Sequence, residues 1–202
     1  MNPPDDTAQV LSMQAWETLR RSHAEYKSST STAYDEVLNE VADRILATGS
    51  IGKADIGALL FWKRLRANTP WVSDLMNMRE QQVRAVTEDA VSAVTDKSLL
   101  IPQAASAGRR ALSELPGFKT GDALASALLL AAAPERMAVY DRRARAGLKI
   151  LDLTLSAAPG RYGRYMKLVG DLQSTAAVHG HTWTARDVDV ALFWLGDPKR
   201  KP

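Results

Sequence analysis

Apolar residues recur every three or four positions along almost the whole chain, and no segment alternates apolar with polar strictly enough to read as a strand. Tyr34, Val37, Leu38, Val41 and Ile45 fall on one face of an amphipathic helix, and Gly49 is a natural stop for it. The same spacing predicts helices over residues 8–26, 53–67, 79–94, 101–112, 122–133, 142–151 and 162–178, with shorter ones between, and a last helix opening at Thr184. Thr184 and Asp187 stand three apart, a variant of the capping box. Pro70, Pro102 and Pro116 punctuate the pattern, and the SSTST run at 28–32 reads as a loop within one fold. The fold class is therefore all-α, and the Ala-rich runs suit close helix packing. The longest apolar stretch, 123–133, ends at Pro134 and falls short of the ~20 residues that cross a bilayer.

Composition adds bounds to this picture. With 202 residues, 46% hydrophobic and 24% charged, the chain can bury one large core, and residues 1–202 are read as a single domain. The absence of cysteine excludes disulfides, thiolate metal sites, an iron–sulfur cluster and Cys nucleophiles, so any chemistry must come from oxygen or nitrogen groups. The N-terminal MNPPDDTAQ lacks the basic and apolar regions of a signal peptide, and a cytoplasmic location is expected. The tail DPKRKP is expected to be frayed and basic.

The net charge is only +3, but it is unevenly spread. Residues 1–50 hold four Lys/Arg against eight Asp/Glu, whereas residues 108–167 hold eleven basic side chains against five acidic ones. A phosphate backbone would bind in that basic half. Within it, Leu115-Pro116-Gly117-Phe118-Lys119-Thr120-Gly121 lies between two helical patterns and predicts a tight hairpin. Free amides at Gly117, Phe118 and Gly121, the positive end of the following helix, Lys119 and Thr120 together suit a phosphate oxygen. An ordinary helix–helix turn accounts for LPG equally well. Asp141 precedes the helix that begins at Arg142, where an aspartate commonly serves as a cap.

The continuation LPGFKTGDALASALLLAAAPERMAVYDRRARAGL resembles the helix-hairpin-helix DNA glycosylase superfamily, of the 8-oxoguanine glycosylase fold. The shared pattern is a Leu-Pro-Gly hairpin, a small-residue helix, a short loop and an aspartate opening the next helix, all within 101–150. Phe61-Trp62-Lys63-Arg64 and the tract 189–194 look like a divergent bacterial branch without an iron–sulfur cluster. Two departures stand out. Gly117 and Gly121 are separated by three residues, so that Lys119 and Thr120 look inserted, and Ala123 occupies the position where bifunctional members carry a lysine.

The resemblance implies a two-lobed helical bundle that acts on double-stranded DNA as a monomer and flips a damaged or modified base into a cleft. It further implies that Asp141 supports hydrolysis of the N-glycosidic bond without lyase chemistry, leaving an abasic site. Host base-excision repair and antiviral defence against modified foreign DNA both fit, and a catalytically inactive DNA-binding adaptor is the alternative. A carboxylate suits the task because the sugar becomes cationic as the bond breaks. At about 4 Å and an effective dielectric of about 20 the attraction is roughly 4 kcal/mol, about a thousandfold in rate.

Trp62, Lys63, Tyr140 and Trp194 are candidates for the base pocket, with core packing the competing reading, above all for Trp194. Arg142, Arg143 and Arg145 are candidates for the DNA backbone, or else a solvated face. His23, His179 and His181 lack partners at metal spacing, so no metal site is expected. The resemblance alone suggests a monovalent cation on hairpin carbonyls.

Overall fold

The structure, a computed structural model, describes residues 11–199, and among these there are ten α-helices and no strand. The helices are α1 (Met13–Ser29), α2 (Glu36–Thr48), α3 (Lys53–Trp62), α4 (Pro70–Asn77), α5 (Glu80–Thr95), α6 (Ile101–Leu112), α7 (Ala123–Ala132), α8 (Arg142–Ile150), α9 (Arg161–Val178) and α10 (Ala185–Leu195). Of the loop expected at 28–32 only Thr30 and Ser31 lie outside helical turns, because α1 runs on to Ser29 and a short 3-10 turn, Thr32–Asp35, begins directly after them. The start expected for the first helix, residues 8–10, and the last three residues of the tail lie outside the described residues.

The amphipathic reading of α2 holds: Leu38, Val41 and Ile45 are buried, and Gly49 closes the helix in the left-handed region at φ 68°. Thr184 caps α10, its hydroxyl accepting from the Asp187 N–H while the Asp187 carboxylate accepts from the Thr184 N–H. The helix expected over 53–67 stops instead at Trp62. Arg64 adopts φ 54°, and the Leu65 N–H donates to the Leu60 carbonyl, a left-handed helix closure made without glycine. Pro70 then opens α4, where its missing N–H costs nothing.

Helix α7 is apolar on all sides, with seven of its residues buried, and it packs against α2, α3, α5 and α6. A second set of pairings joins α10 to α1 and α8, while α9 touches both α6 and α10. One continuous core runs through both sets, from Trp16 and Leu19 to Leu128, Tyr165 and Leu192. Glycine permits a close crossing of α8 and α10: a Cβ at Gly147 on α8 would lie 2.5 Å from the Leu192 carbonyl oxygen of α10. Among the described residues, no helix is long and apolar enough to cross a membrane.

Candidate active site

Asp141 is delivered by an irregular segment that two helices hold rigidly. The Ser126 hydroxyl on α7 donates to the Asp122 carbonyl and accepts from the Tyr140 N–H at 2.9 Å. From α9, the Tyr162 and Tyr165 hydroxyls donate to the Ala138 and Val139 carbonyls at 2.9 and 3.0 Å. Three polar backbone groups of 138–140 are thereby satisfied inside the core. The chain leaves this scaffold at Asp141 and turns directly into α8.

The two carboxylate oxygens of Asp141 have different jobs. Oδ1 accepts from the Arg143 and Ala144 N–H groups, both at 2.9 Å, which caps α8. Oδ2 accepts from Lys63 Nζ at 2.6 Å. Both side chains are largely buried, Lys63 at 9% exposure and Asp141 at 13%. Burial pushes the Asp141 carboxyl up, but the Lys63 ammonium and the two amides outweigh it and hold the group below the usual carboxylate range. Asp141 is therefore an anion at neutral pH.

Lys63 reaches Asp141 because α3 ends where it does. As the residue that caps α3, followed by the left-handed turn at Arg64, it swings its stem past the rings of Trp62 and Phe193, each centred 5.5 Å from Nζ. Behind it, Trp62 donates from Nε1 to Asp35, and Arg186 binds both Asp35 and Asp189. Burial pushes the Asp189 carboxyl up despite Arg186 and Lys63 nearby. This network fixes the wall on which Lys63 rests.

Lys63 and Asp141 line an open cleft of about 350 Å³ with Tyr34, Arg64, Leu65, Ala123, Arg142, Arg143 and Phe193. Ala123 is the first residue of α7, so the cleft abuts the exit of the hairpin. Arg143 lies over the Phe193 ring at 4.5 Å and pairs with Asp197 at 3.2 Å, while Arg142 is exposed at the rim. Arg145 is exposed and does not line the cleft.

The base-pocket candidates separate. Trp62 is a buried wall, and the space it shares with Tyr26, Tyr34, Lys63, Arg186 and Phe193 is only about 10 Å³, room for a water and not for a base. Tyr140 is buried against Tyr165, with ring centres 4.7 Å apart, and faces Arg161. Trp194 packs edge-on against Tyr26 and donates to Glu25, at the seam between α1 and α10. Of the four, Lys63 alone lines the cleft that holds Asp141. Tyr34, Leu65 and Phe193 supply the apolar surface there; they escaped the sequence reading because each sits in a helical pattern as an ordinary core position.

In the hairpin, Gly117 and Gly121 have φ 83° and 79°. Gly117 lies under the indole of Trp71, so close that a Cβ would meet the ring at 2.3 Å. Phe118 is in the core, its ring edge-on to Trp71, whereas Lys119, Thr120 and Gly121 are exposed. Two arginines clamp the exit: Arg109 and Arg161 bind opposite oxygens of Asp122 at 2.8 and 2.6 Å. Arg109 also donates to the Gly121 carbonyl at 2.9 Å, placing a positive charge there that makes this carbonyl a poor ligand for a monovalent cation.

His23 bonds to Asp187 at 2.8 Å, His179 stacks on Trp16, and among the described residues no three His, Cys, Asp or Glu side chains group as a metal site. Comparison with protein-family models, curated proteins and solved structures gave no match.

Proposed function

We propose that the protein is a monofunctional DNA glycosylase acting on a damaged or modified base that has been turned out of duplex DNA. The observation that carries this reading is the arrangement of Asp141: one oxygen pinned by the first turn of α8, the other presented with Lys63 in a cleft bounded by the hairpin exit and by Arg64, Arg142 and Arg143. In the reaction the bond between C1′ and the base nitrogen breaks with its electron pair going to the base. Asp141 offsets the positive charge that develops on the sugar; water then adds to C1′ as hydroxide and its proton ends on the base. Tyr34, Leu65 and Phe193 offer flat and apolar surface for the extruded base, and the arginines offer contacts to the flanking phosphates.

A second reading rests on the same lysine. With Oδ1 on two amides and Oδ2 on an ammonium, the carboxylate is also satisfied as a purely structural cap, and the protein would then bind DNA without releasing a base. The two readings part on one assay. Purified protein incubated with DNA from base-modified and unmodified sources should generate abasic sites, detected with an aldehyde-reactive probe, on at least one modified DNA. DNA binding with no abasic sites on any substrate would favour the adaptor.

A further inference from the structure

A hollow larger than the cleft at Asp141 lies elsewhere on the molecule. It is a groove between α6 and α9, formed by two adjoining clefts of about 630 and 500 Å³ that share Ser106, Arg110, Gly160 and Gly163. Six cationic side chains line it: Arg109, Arg110, Lys119, Arg161, Arg164 and Lys167. Among the described residues the one carboxylate in the lining, Asp122, is already bound by Arg109 and Arg161. Among the described residues Arg110 and Lys119 form no ion pair, and both are exposed. Arg164 is turned to the carbonyls of Ser156, Ala158 and Pro159, and so shapes the wall. Lys167 pairs with Asp171 on α9 at 3.5 Å, and six cations against the single carboxylate Asp122 still leave the described lining with a net positive charge.

Small residues keep the groove's floor close to the backbone. A Cβ at Gly163 would lie 2.0 Å from the Ser106 hydroxyl and 2.7 Å from the Pro102 carbonyl, so α6 and α9 touch beneath the cations. From Gly160 to Lys167 the α9 wall rises about 10 Å at ~1.5 Å per residue, enough to follow about two neighbouring phosphates of one strand. The groove also starts where the other cleft stops: Asp122 and Lys119 line the groove, and the next residue after Asp122, Ala123, lines the cleft of Asp141.

We infer that this groove is a second backbone-binding track, which holds about two neighbouring phosphates of the DNA flanking the nucleotide presented to Asp141. The inference rests on the proposed action on DNA and extends the contact surface well beyond the hairpin and the arginines of α8. Phosphate contacts of this kind carry no base information; they fix the register of the duplex.

The test is the salt dependence of binding to an unmodified 20-base-pair duplex. Each phosphate contact contributes about 0.9 to the slope of log K against log salt. The double variant Arg110→Gln/Lys167→Gln should lose about 1.8 from that slope, and Arg110→Gln alone about 0.9. Lys97→Gln, at an exposed lysine in the α5–α6 loop outside the groove, should leave it unchanged. Arg110 is exposed, so the single variant keeps the test available if the double variant melts early. An unchanged slope in the Arg110 variant, with wild-type binding intact, would overturn the groove and leave the glycosylase reading standing. No binding by the wild-type protein at low salt would overturn both.

Discussion

At the scale of single residues, the site is a carboxylate with a division of labour. Oδ1 of Asp141 caps α8, whereas Oδ2 lies in the cleft against Lys63, which holds it in place and keeps it ionised. Lys63→Met would leave a largely buried carboxylate with its two amides alone. We expect this to cost roughly 2–3 kcal/mol in urea unfolding, below the full cost of stripping a buried ion pair because the amide bonds remain. The sign of the pH effect follows from the direction of the shift. A carboxyl held below its unfolded value contributes stability that is full above about pH 4 and fades as pH falls through the folded value. The acid limb of base release carried by Asp141 should therefore lie below pH 4 in the wild type and move upward in Lys63→Met, as followed in a pH–rate profile. Among the described residues Lys63 is also the only lysine lining the cleft, and it is engaged as a donor to Asp141. Borohydride reduction in the presence of abasic DNA should trap no covalent adduct; an adduct that disappears in Lys63→Met would contradict the monofunctional assignment.

Elements were legible in the sequence to the extent that each one's boundary signal is local. Gly49, Pro102 and the Thr184–Asp187 pair act through their own backbone, and α2, α6 and the start of α10 fall where the pattern puts them. The end of α3 was not legible, because Arg64 takes a left-handed conformation that its side chain does not announce. That turn brings Lys63 to Asp141 across 78 positions of sequence, and no spacing rule could have paired them. Phe118 shows the opposite limit: the hairpin's exposure was readable, but the inward turn of this one residue depends on Trp71, which arrives from α4. The two hairpin glycines offer a direct check. Both have positive φ, but a Cβ at Gly121 meets nothing within 4 Å, whereas one at Gly117 meets Trp71. Gly121→Ala should cost about 1 kcal/mol, and Gly117→Ala should cost at least 1–3 kcal/mol more as the indole is forced to move. Thermal melts of the two variants compare them, and equal losses would mean that Trp71 does not seat on the hairpin in solution.

Across the whole molecule, the charge asymmetry of the sequence becomes a surface with two parts that meet at the hairpin exit, the cleft of Asp141 on one side of residues 121–123 and the α6–α9 groove on the other. The basic half was visible as a count, but its division was not, since the arginines of 108–167 fold to different tasks: Arg109 and Arg161 clamp Asp122, Arg164 braces a loop, and Arg110 stays exposed. The central claim, that the carboxylate of Asp141 works on a sugar held in its cleft, is tested most directly by Asp141→Asn. Asparagine keeps an oxygen for the Arg143 and Ala144 amides and removes the negative charge. Single-turnover release of a modified base should fall at least a thousandfold while the affinity for the same duplex stays within about threefold. Release at the wild-type rate by the folded Asp141→Asn protein would contradict the account.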